Sequence, residues 1–403
     1  LYLKEYIKVI MCSFTVFIIM LGLGIIAPIF PIFVKSKGVP VYLVGIIIAT
    51  YAIVQFVLLS PFGMLSDRYG RKKFIIGGLA GYSVTTLLYT FSDNILQLFL
   101  VRILHGLSSA FVFASAQAMV AELAPLGKRG AAMGIFIAML MGGMGAGFML
   151  GGILADVISL HAPFYACSIL AFIAMVYGVF ELEETVQIGK GMRPRKISLK
   201  LPIVSRGILV AAIFTFVVSL GYGSLGPMYP LFAVEVAHMS SSAYGIILGV
   251  NILVFTAVLP FAGSVSDKVG RKIPITIGTV VYAVSFIFLT FSVDFYYQLM
   301  MLAINSVGLG FANPAVTAIM ADLAPREHMG AVMGFSNMAR TSGEGILGPI
   351  FGGAIINIFG LSLFGASALF IICGILGLIA MIPVILLRKT IAESENSKMS
   401  HVY

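Results

Sequence analysis

SDRYGRKK, residues 66–73, carries five charges in eight residues, in a chain of 403 residues that is 60% hydrophobic and only 10% charged. SDKVGRK recurs at 266–272, two hundred residues further on. Around both knots lie long apolar stretches, and the mean hydropathy of the chain is +1.07. A soluble protein carries about 25% charged residues. Apolar segments of about eighteen residues or more, enough to cross a hydrocarbon core about 30 Å thick, recur along the whole chain. Backbone in lipid must satisfy its own hydrogen bonds, so such segments are helices; barrel strands would be shorter and would alternate. Two charged turns in an apolar chain therefore read as equivalent loops of a duplicated polytopic membrane protein.

Counting outward from these loops gives twelve spans, at about 7–34, 41–66, 74–91, 95–122, 130–156, 162–181, 206–235, 242–266, 274–291, 295–322, 330–356 and 361–387. The first is too long for a signal peptide, contains Pro28 and Pro31, and lacks a small-residue cleavage site. It is expected to be retained. With both termini in the cytoplasm, all but four of the 25 Lys and Arg fall on the cytoplasmic side. Lys35 and Lys37 fall outside, and Arg102 and Arg340 lie within spans. That bias sets the orientation. The polar, basic stretch 183–205 reads as a cytoplasmic linker between six-span bundles at 1–182 and 206–387, and 388–403 as a polar cytoplasmic tail.

The net charge of +9 resides in short loops between spans, which argues against nucleic-acid binding. Cys12, Cys167 and Cys373 lie far apart in apolar segments, with neither metal-ligand nor disulfide spacing. GKRGAAMG at 127–134 lacks the GxxxxGK[ST] pattern of a phosphate loop, and no nucleophile constellation is present, so neither ATP hydrolysis nor enzymatic catalysis is expected.

The duplication extends well beyond the knots. AELAPLGKRGAAMG at 121–134 matches ADLAPREHMGAVMG at 321–334 in eight of fourteen positions, and TFS recurs at 90–92 and 290–292. IAPIFPIF at 26–33 resembles LGPMYPLF at 225–232. Six spans per copy is an even number, so both copies share one orientation, as in secondary transporters with a central site between parallel repeats. On these residues the chain resembles the major facilitator superfamily, whose signature loop between spans 2 and 3 is similar to GMLSDRYGRKK at 63–73. It is most similar to the twelve-span drug:proton antiporters. GLGIIAPIFPIF at 22–33 resembles their first span, RILHGLSSA at 102–110 their fourth, and GMGAGFMLGG at 143–152 their glycine-rich fifth. Phe148 stands where that pattern has Pro, whereas Pro349 follows Gly348 in the eleventh span.

In the first knot, Asp67 faces the negative pole of its own helix and needs a partner, either Arg71 or a neighbouring helix N-terminus. Gly70 permits the turn and Gly63 a close helix approach. The resemblance implies a cytoplasmic gate built from Gly63, Asp67, Arg68, Gly70 and Arg71, repeated at Gly263, Asp267, Gly270 and Arg271. The alternative is a pair of loops that only set topology. Gly143, Gly147, Gly151 and Gly152, with Gly348, Pro349, Gly352 and Gly353, read as a hinge or rocking interface, or as general packing.

Glu344 is the deepest acid, about 14 residues from the inner end of its span and 12 from the outer, roughly 20 Å at 1.5 Å per residue. An ionisable group at that depth is a functional candidate. Arg340, one turn earlier on the same face, either locks it in a structural ion pair or tunes a carboxyl that gains and loses a proton. Arg102 lies roughly 10 Å into the fourth span, where the resemblance implies proton coupling and simple chemistry allows snorkelling to the outer interface. His105 carries an imidazole that titrates near neutrality and is a further proton-carrier candidate. Gln55, Gln117, Tyr222, Tyr229, Asn251, Asn305, Asn313 and Asn337 are the polar candidates for a substrate cavity.

The expected protein is thus a monomeric, multi-pass transporter of a prokaryotic plasma or inner membrane. It exchanges a small hydrophobic substrate for protons by alternating access. The proton gradient takes the place of a cofactor, and metal and nucleic acid have no part. An importer or facilitator of an organic acid or sugar is the alternative, and a non-transporting membrane sensor a remote one.

Overall fold

A computed structural model describes residues 2–124, 129–185, 205–325 and 328–386. The expected tail, and all but the ends of the expected linker, lie outside the described residues. These residues are helical throughout, with no strand among them. The helices are α1 (Tyr2–Ile26), α2 (Phe30–Ser36), α3 (Val41–Tyr69), α4 (Arg71–Leu88), α5 (Ile95–Leu123), α6 (Arg129–Val157) and α7 (Ala162–Glu181). The second series is α8 (Arg206–Glu235), α9 (Ser241–Val269), α10 (Lys272–Phe288), α11 (Phe295–Leu323), α12 (Met329–Thr341), α13 (Gly348–Phe359) and α14 (Leu363–Leu386). α12 runs into α13 through a π-helical segment, Ser342–Leu347.

Among the described residues eleven helical stretches are long and apolar enough to cross a membrane. The expected ninth span falls on α10, which is apolar but only 17 residues long. The expected first span is divided into α1 and α2. Its break falls at Ala27–Ile29, where Pro28 removes a backbone donor and Pro31 enters the first turn of α2. Large apolar side chains, among them Val84, Leu96, Phe180, Ile277 and Phe364, cover the outer surface, as a lipid solvent requires.

Buried side chains gather in two clusters, one running from Val9 to Leu182 and the other mainly from Ile208 to Val384. Lipid supplies no hydrophobic drive between helices, so small residues bring backbones together instead. A methyl group at Gly147 would lie 2.3 Å from the Leu21 carbonyl oxygen, and one at Gly151 2.2 Å from that of Ile25. Gly143 also faces α1, and Gly348 and Gly352 face α8, so these five positions close each bundle internally. Gly152 meets Ser241 of α9 and Gly353 meets Tyr42 of α3, and only these two of the seven glycines lie where the bundles touch. The expected rocking interface is therefore narrower than the glycine spacing implied. A four-residue period repeats one helix face, and that face is the one turned toward the helix's own bundle.

The bundles meet from mid-height to the end opposite the charged knots. There Gly45 of α3 packs on the Pro349 backbone, and Gly245 of α9 on that of Phe148. At the knot end they part. Among the described residues no atom outside its own helix comes within 4 Å of a methyl placed at Gly263, and Gly63 meets only Ala114 of its own bundle. The close approach expected at these two glycines is absent in this arrangement, because the bundles are separated there.

Candidate functional site

Between the bundles lies a cavity of about 530 Å³. α1, α3, α5 and α6 line one side, and α8, α9, α11 and the α12–α13 span line the other. Of the expected polar lining, Gln55, Tyr222, Asn251 and Asn313 reach it. Tyr229 is buried within the second bundle against Gln298, 3.3 Å away. Asn305 is buried too, bonded to the Tyr282 carbonyl and the Ser285 hydroxyl. Gln117 and Asn337 are exposed and lie outside the lining.

Glu344 lines the cavity from the π-helical segment, and Arg340 lines it from the end of α12. Arg340 Nε donates to Glu344 Oε2 over 3.2 Å. The two side chains are 39% and 37% exposed. One partly exposed bond is weaker than a buried bidentate pair, and the carboxylate keeps a face on the cavity. α8 supports the segment. A methyl at Gly223 would lie 2.2 Å from the Glu344 carbonyl oxygen. The Ser224 hydroxyl lies 2.9 Å from the Gly348 carbonyl, offering a donor where the helical ladder is disturbed. π-helical turns of this kind are frequent at functional sites.

Arg102 lines the cavity from α5 and does not snorkel outward, being only 5% exposed. Its guanidinium lies 3.5 Å from the centre of the Phe30 ring, 5.7 Å from Tyr51 and 5.5 Å from Tyr89. Its Nε has no hydrogen-bond partner. Among the described residues no carboxylate lies within 4.0 Å of it. A cation–π contact contributes about 0.5–2 kcal/mol, whereas removing a charge from water costs several kcal/mol. The aromatic faces offset only part of that cost. His105, one turn on, does not line the cavity. It is fully buried among Tyr51, Tyr82 and Tyr89, with Nδ1 3.1 Å from the Tyr89 hydroxyl and Nε2 without a partner.

At the knot end each bundle closes a charge network on itself. Asp67 finds its partner in Arg71. The same guanidinium donates to Glu122 and to the Ser66 hydroxyl, each over 2.8 Å. Glu184 accepts from the backbone N–H groups of Arg71 and Lys72 at the start of α4, over 2.8 and 3.2 Å, where the helix dipole favours an anion. Arg68 is exposed, its guanidinium 5.4 Å from the Tyr69 ring centre. Gly70 and Gly270 make their turns at φ of 107° and 84°, where a side chain would be strained. The second copy pairs Arg271 with Asp267 and, at 3.4 Å, with Asp322. The Asp267 hydrogen bond is the main cause lifting the Arg271 pKa above its ordinary value. Glu122 and Asp322 were not singled out beforehand. Their signal was present, since both follow the knot arginine by 51 residues and both stand in the AELAP and ADLAP repeat.

At the opposite end the bundles are joined. Asp156, at the end of α6, accepts from the backbone N–H of Ser241 over 2.9 Å and of Ser242 over 2.6 Å. It thus caps α9 from across the interface, while Ser240 caps the same helix locally by accepting from Ala243. Lys35 pairs with Glu235 over 2.9 Å, also between bundles. Asp156 and Glu235 close the expected spans 130–156 and 206–235, and nothing in the sequence marks their partners in the other bundle.

Two helical bundles of repeated sequence around a shared central cavity define a membrane transporter rather than an enzyme. Comparison with known proteins narrows the class. The Major Facilitator Superfamily profile matches residues 12–218 and 211–401, and the chain belongs to that family. The uncharacterized MFS-type transporter MJ1560 of Methanocaldococcus jannaschii is 31% identical over 373 residues, covering 90% of this chain and 95% of its own. Multidrug resistance protein 2 of Bacillus subtilis is 29% identical, over 88% of this chain and 90% of its own. A bacterial homolog of the human lysosomal transporter Spinster, solved in an inward-facing and unoccupied conformation, shares the fold with a TM-score of 0.80 at 14% identity, over 97% of this chain and 98% of that one.

Proposed function

We propose that this transporter exports small, largely hydrophobic compounds in exchange for protons, by alternating access across a plasma or inner membrane, and that it works as a monomer. The basic residues assign the knot end to the cytoplasm, with twelve spans and both termini inside. The parted knot end then corresponds to the inward-open state. The knots form the cytoplasmic gate when the bundles close. The single observation that carries the reading is Glu344, the only carboxylate among the described cavity-lining residues, partly exposed on a π-helical turn with Arg340 as its partner. Exchange needs a group whose protonation and substrate occupancy exclude each other, and an accessible carboxylate has that property. The apolar walls, with Met141, Met144, Phe148 and Phe255 among them, suit adaptable recognition of hydrophobic bodies. The test is proton flux in proteoliposomes holding an imposed pH gradient. An added exported compound should drive flux through the native protein and none through Glu344→Gln. Undiminished flux in that variant overturns the role of Glu344.

A further inference from the structure

The two charged loci of the cavity lie in opposite bundles and differ in kind. In the second bundle Arg340 has Glu344 as its counter-ion. In the first, Arg102 has none among the described residues. Its guanidinium is walled by Phe30, Tyr51 and Tyr89. The nearby polar groups are neutral: the Tyr89 hydroxyl bonds the guanidinium and lies 3.1 Å from His105 Nδ1, and the Tyr51 hydroxyl and the Gln55 amide nitrogen both bond the Ser109 hydroxyl, over 2.7 and 2.8 Å. Two guanidinium groups and one carboxylate line the cavity, so it keeps an uncompensated positive charge when Glu344 is ionised. That charge sits on a side chain 5% exposed, where water is a poor substitute for a counter-ion.

We propose that Arg102 anchors the anionic group of an amphipathic substrate, a carboxylate or sulfonate on an apolar body. A planar guanidinium stacked on one ring keeps its N–H edge in plane, the geometry that takes an oxyanion. The body of the substrate then lies across the apolar wall of α6 toward Glu344. The proposal rests on the reading of this cavity as the substrate site and adds a second locus to it. It also constrains what can be exchanged. Protonating Glu344 makes the cavity more positive and so favours a bare anion rather than expelling it. A substrate that competes with the proton must bring a donor or cationic group to Glu344 as well as an anion to Arg102.

Equilibrium dialysis of the purified full-length protein against 2-naphthoate, 2-naphthylmethanol and 2-naphthylmethylammonium tests the anchor, because the three share one apolar body. Naphthoate should bind about tenfold or more tightly than the alcohol, a difference typical of one charge-assisted contact, and the ammonium should bind no better than the alcohol. Arg102→Met should remove the advantage of naphthoate, and Arg102→Lys should keep part of it. Alcohol binding reports that each variant is folded. Equal binding of naphthoate and alcohol to the native protein overturns the proposal, as does a naphthoate advantage that survives Arg102→Met. A Glu344→Gln protein separates the two readings. Loss of proton flux with the naphthoate advantage intact supports both. Flux that persists in Glu344→Gln sinks the exchange mechanism and leaves the anchor standing, whereas a missing advantage with normal Glu344-dependent flux sinks only the anchor.

Discussion

Arg71 meets Asp67, Glu122 and the Ser66 hydroxyl while its side chain is 9% exposed, whereas Arg271 meets Asp267 equally closely but Asp322 and Ser266 over longer distances, with its side chain 26% exposed. The residues correspond one to one, but the first copy is drier and tighter. Asp67 and Glu122 are 49% and 37% exposed, against 69% and 59% for Asp267 and Asp322, and an ion pair weakens with exposure, down to about 0–1 kcal/mol for a fully solvated one. Arg71→Met should therefore lower the melting temperature in detergent clearly more than Arg271→Met does. Equal shifts would show that burial does not separate the two networks. Part of this site was legible in advance. Asp67 at a helix C-terminus demanded a cation, and Arg71 one turn on supplied it. The second acid was visible as Glu122 and Asp322 in the repeat, but its pairing needed the fold, because 51 residues of intervening helix hide the contact. His105 shows the opposite limit. Its residue type suggested a proton carrier, and only the packing places it behind a wall of tyrosines, outside the cavity lining.

Where the helices run followed from apolar length and from breakers, so most expected spans fall close to the observed ones, although the division of the first span into α1 and α2 at Pro28 was not expected. Which face each helix turns inward did not follow. A helix apolar all round carries no stripe to read, and so Gln55 lines the cavity while Gln117 does not. The π-helical turn at Ser342–Leu347 was equally hidden, since TSGEGILGP reads as any glycine-rich helix. Its support is testable on α8. A methyl at Gly223 would overlap the backbone of Glu344 and push α8 off the segment, and overpacking of this kind costs about 1–3 kcal/mol. Gly226, three residues on, has open space within 4 Å. Gly223→Ala should lower thermal stability and abolish substrate-driven proton flux, while Gly226→Ala, gaining helix propensity, should hold or raise stability. If Gly223→Ala melts and transports like the native protein, α8 does not hold the π-helical turn in place.

At the scale of the whole molecule, the proposed alternating access makes the transporter an equilibrium between arrangements, set by what joins the bundles at each end. In the arrangement described here the knot networks are internal to each bundle and add nothing to closure between them. The opposite end holds through Asp156 on the α9 N-terminus and through the Lys35–Glu235 pair. These two links differ in strength. An acid capping a helix contributes about 0.5–2 kcal/mol, typically near 1, and here two backbone donors share the carboxylate at short distances. Lys35 and Glu235 have side chains 28% and 44% exposed, and an ion pair of that kind contributes about 0–1 kcal/mol, less in salt. Asp156→Ala should therefore shift the population away from the inward-open state about fivefold, since 1.4 kcal/mol is tenfold, and Glu235→Gln should shift it less. The reporter is the distance between spin labels at Gly134→Cys and Gly334→Cys, open positions on α6 and α12 with no neighbour within 4 Å. Cys12, Cys167 and Cys373 are buried and react poorly with a label. The short-distance fraction should rise in Asp156→Ala. Ser240→Ala is the decisive control, because it removes a cap from the same helix without touching the link between bundles. It should lower stability and leave the distance distribution where it was. If Ser240→Ala shifts the distances as far as Asp156→Ala does, then fraying of α9, and not the cross-bundle cap, governs the equilibrium.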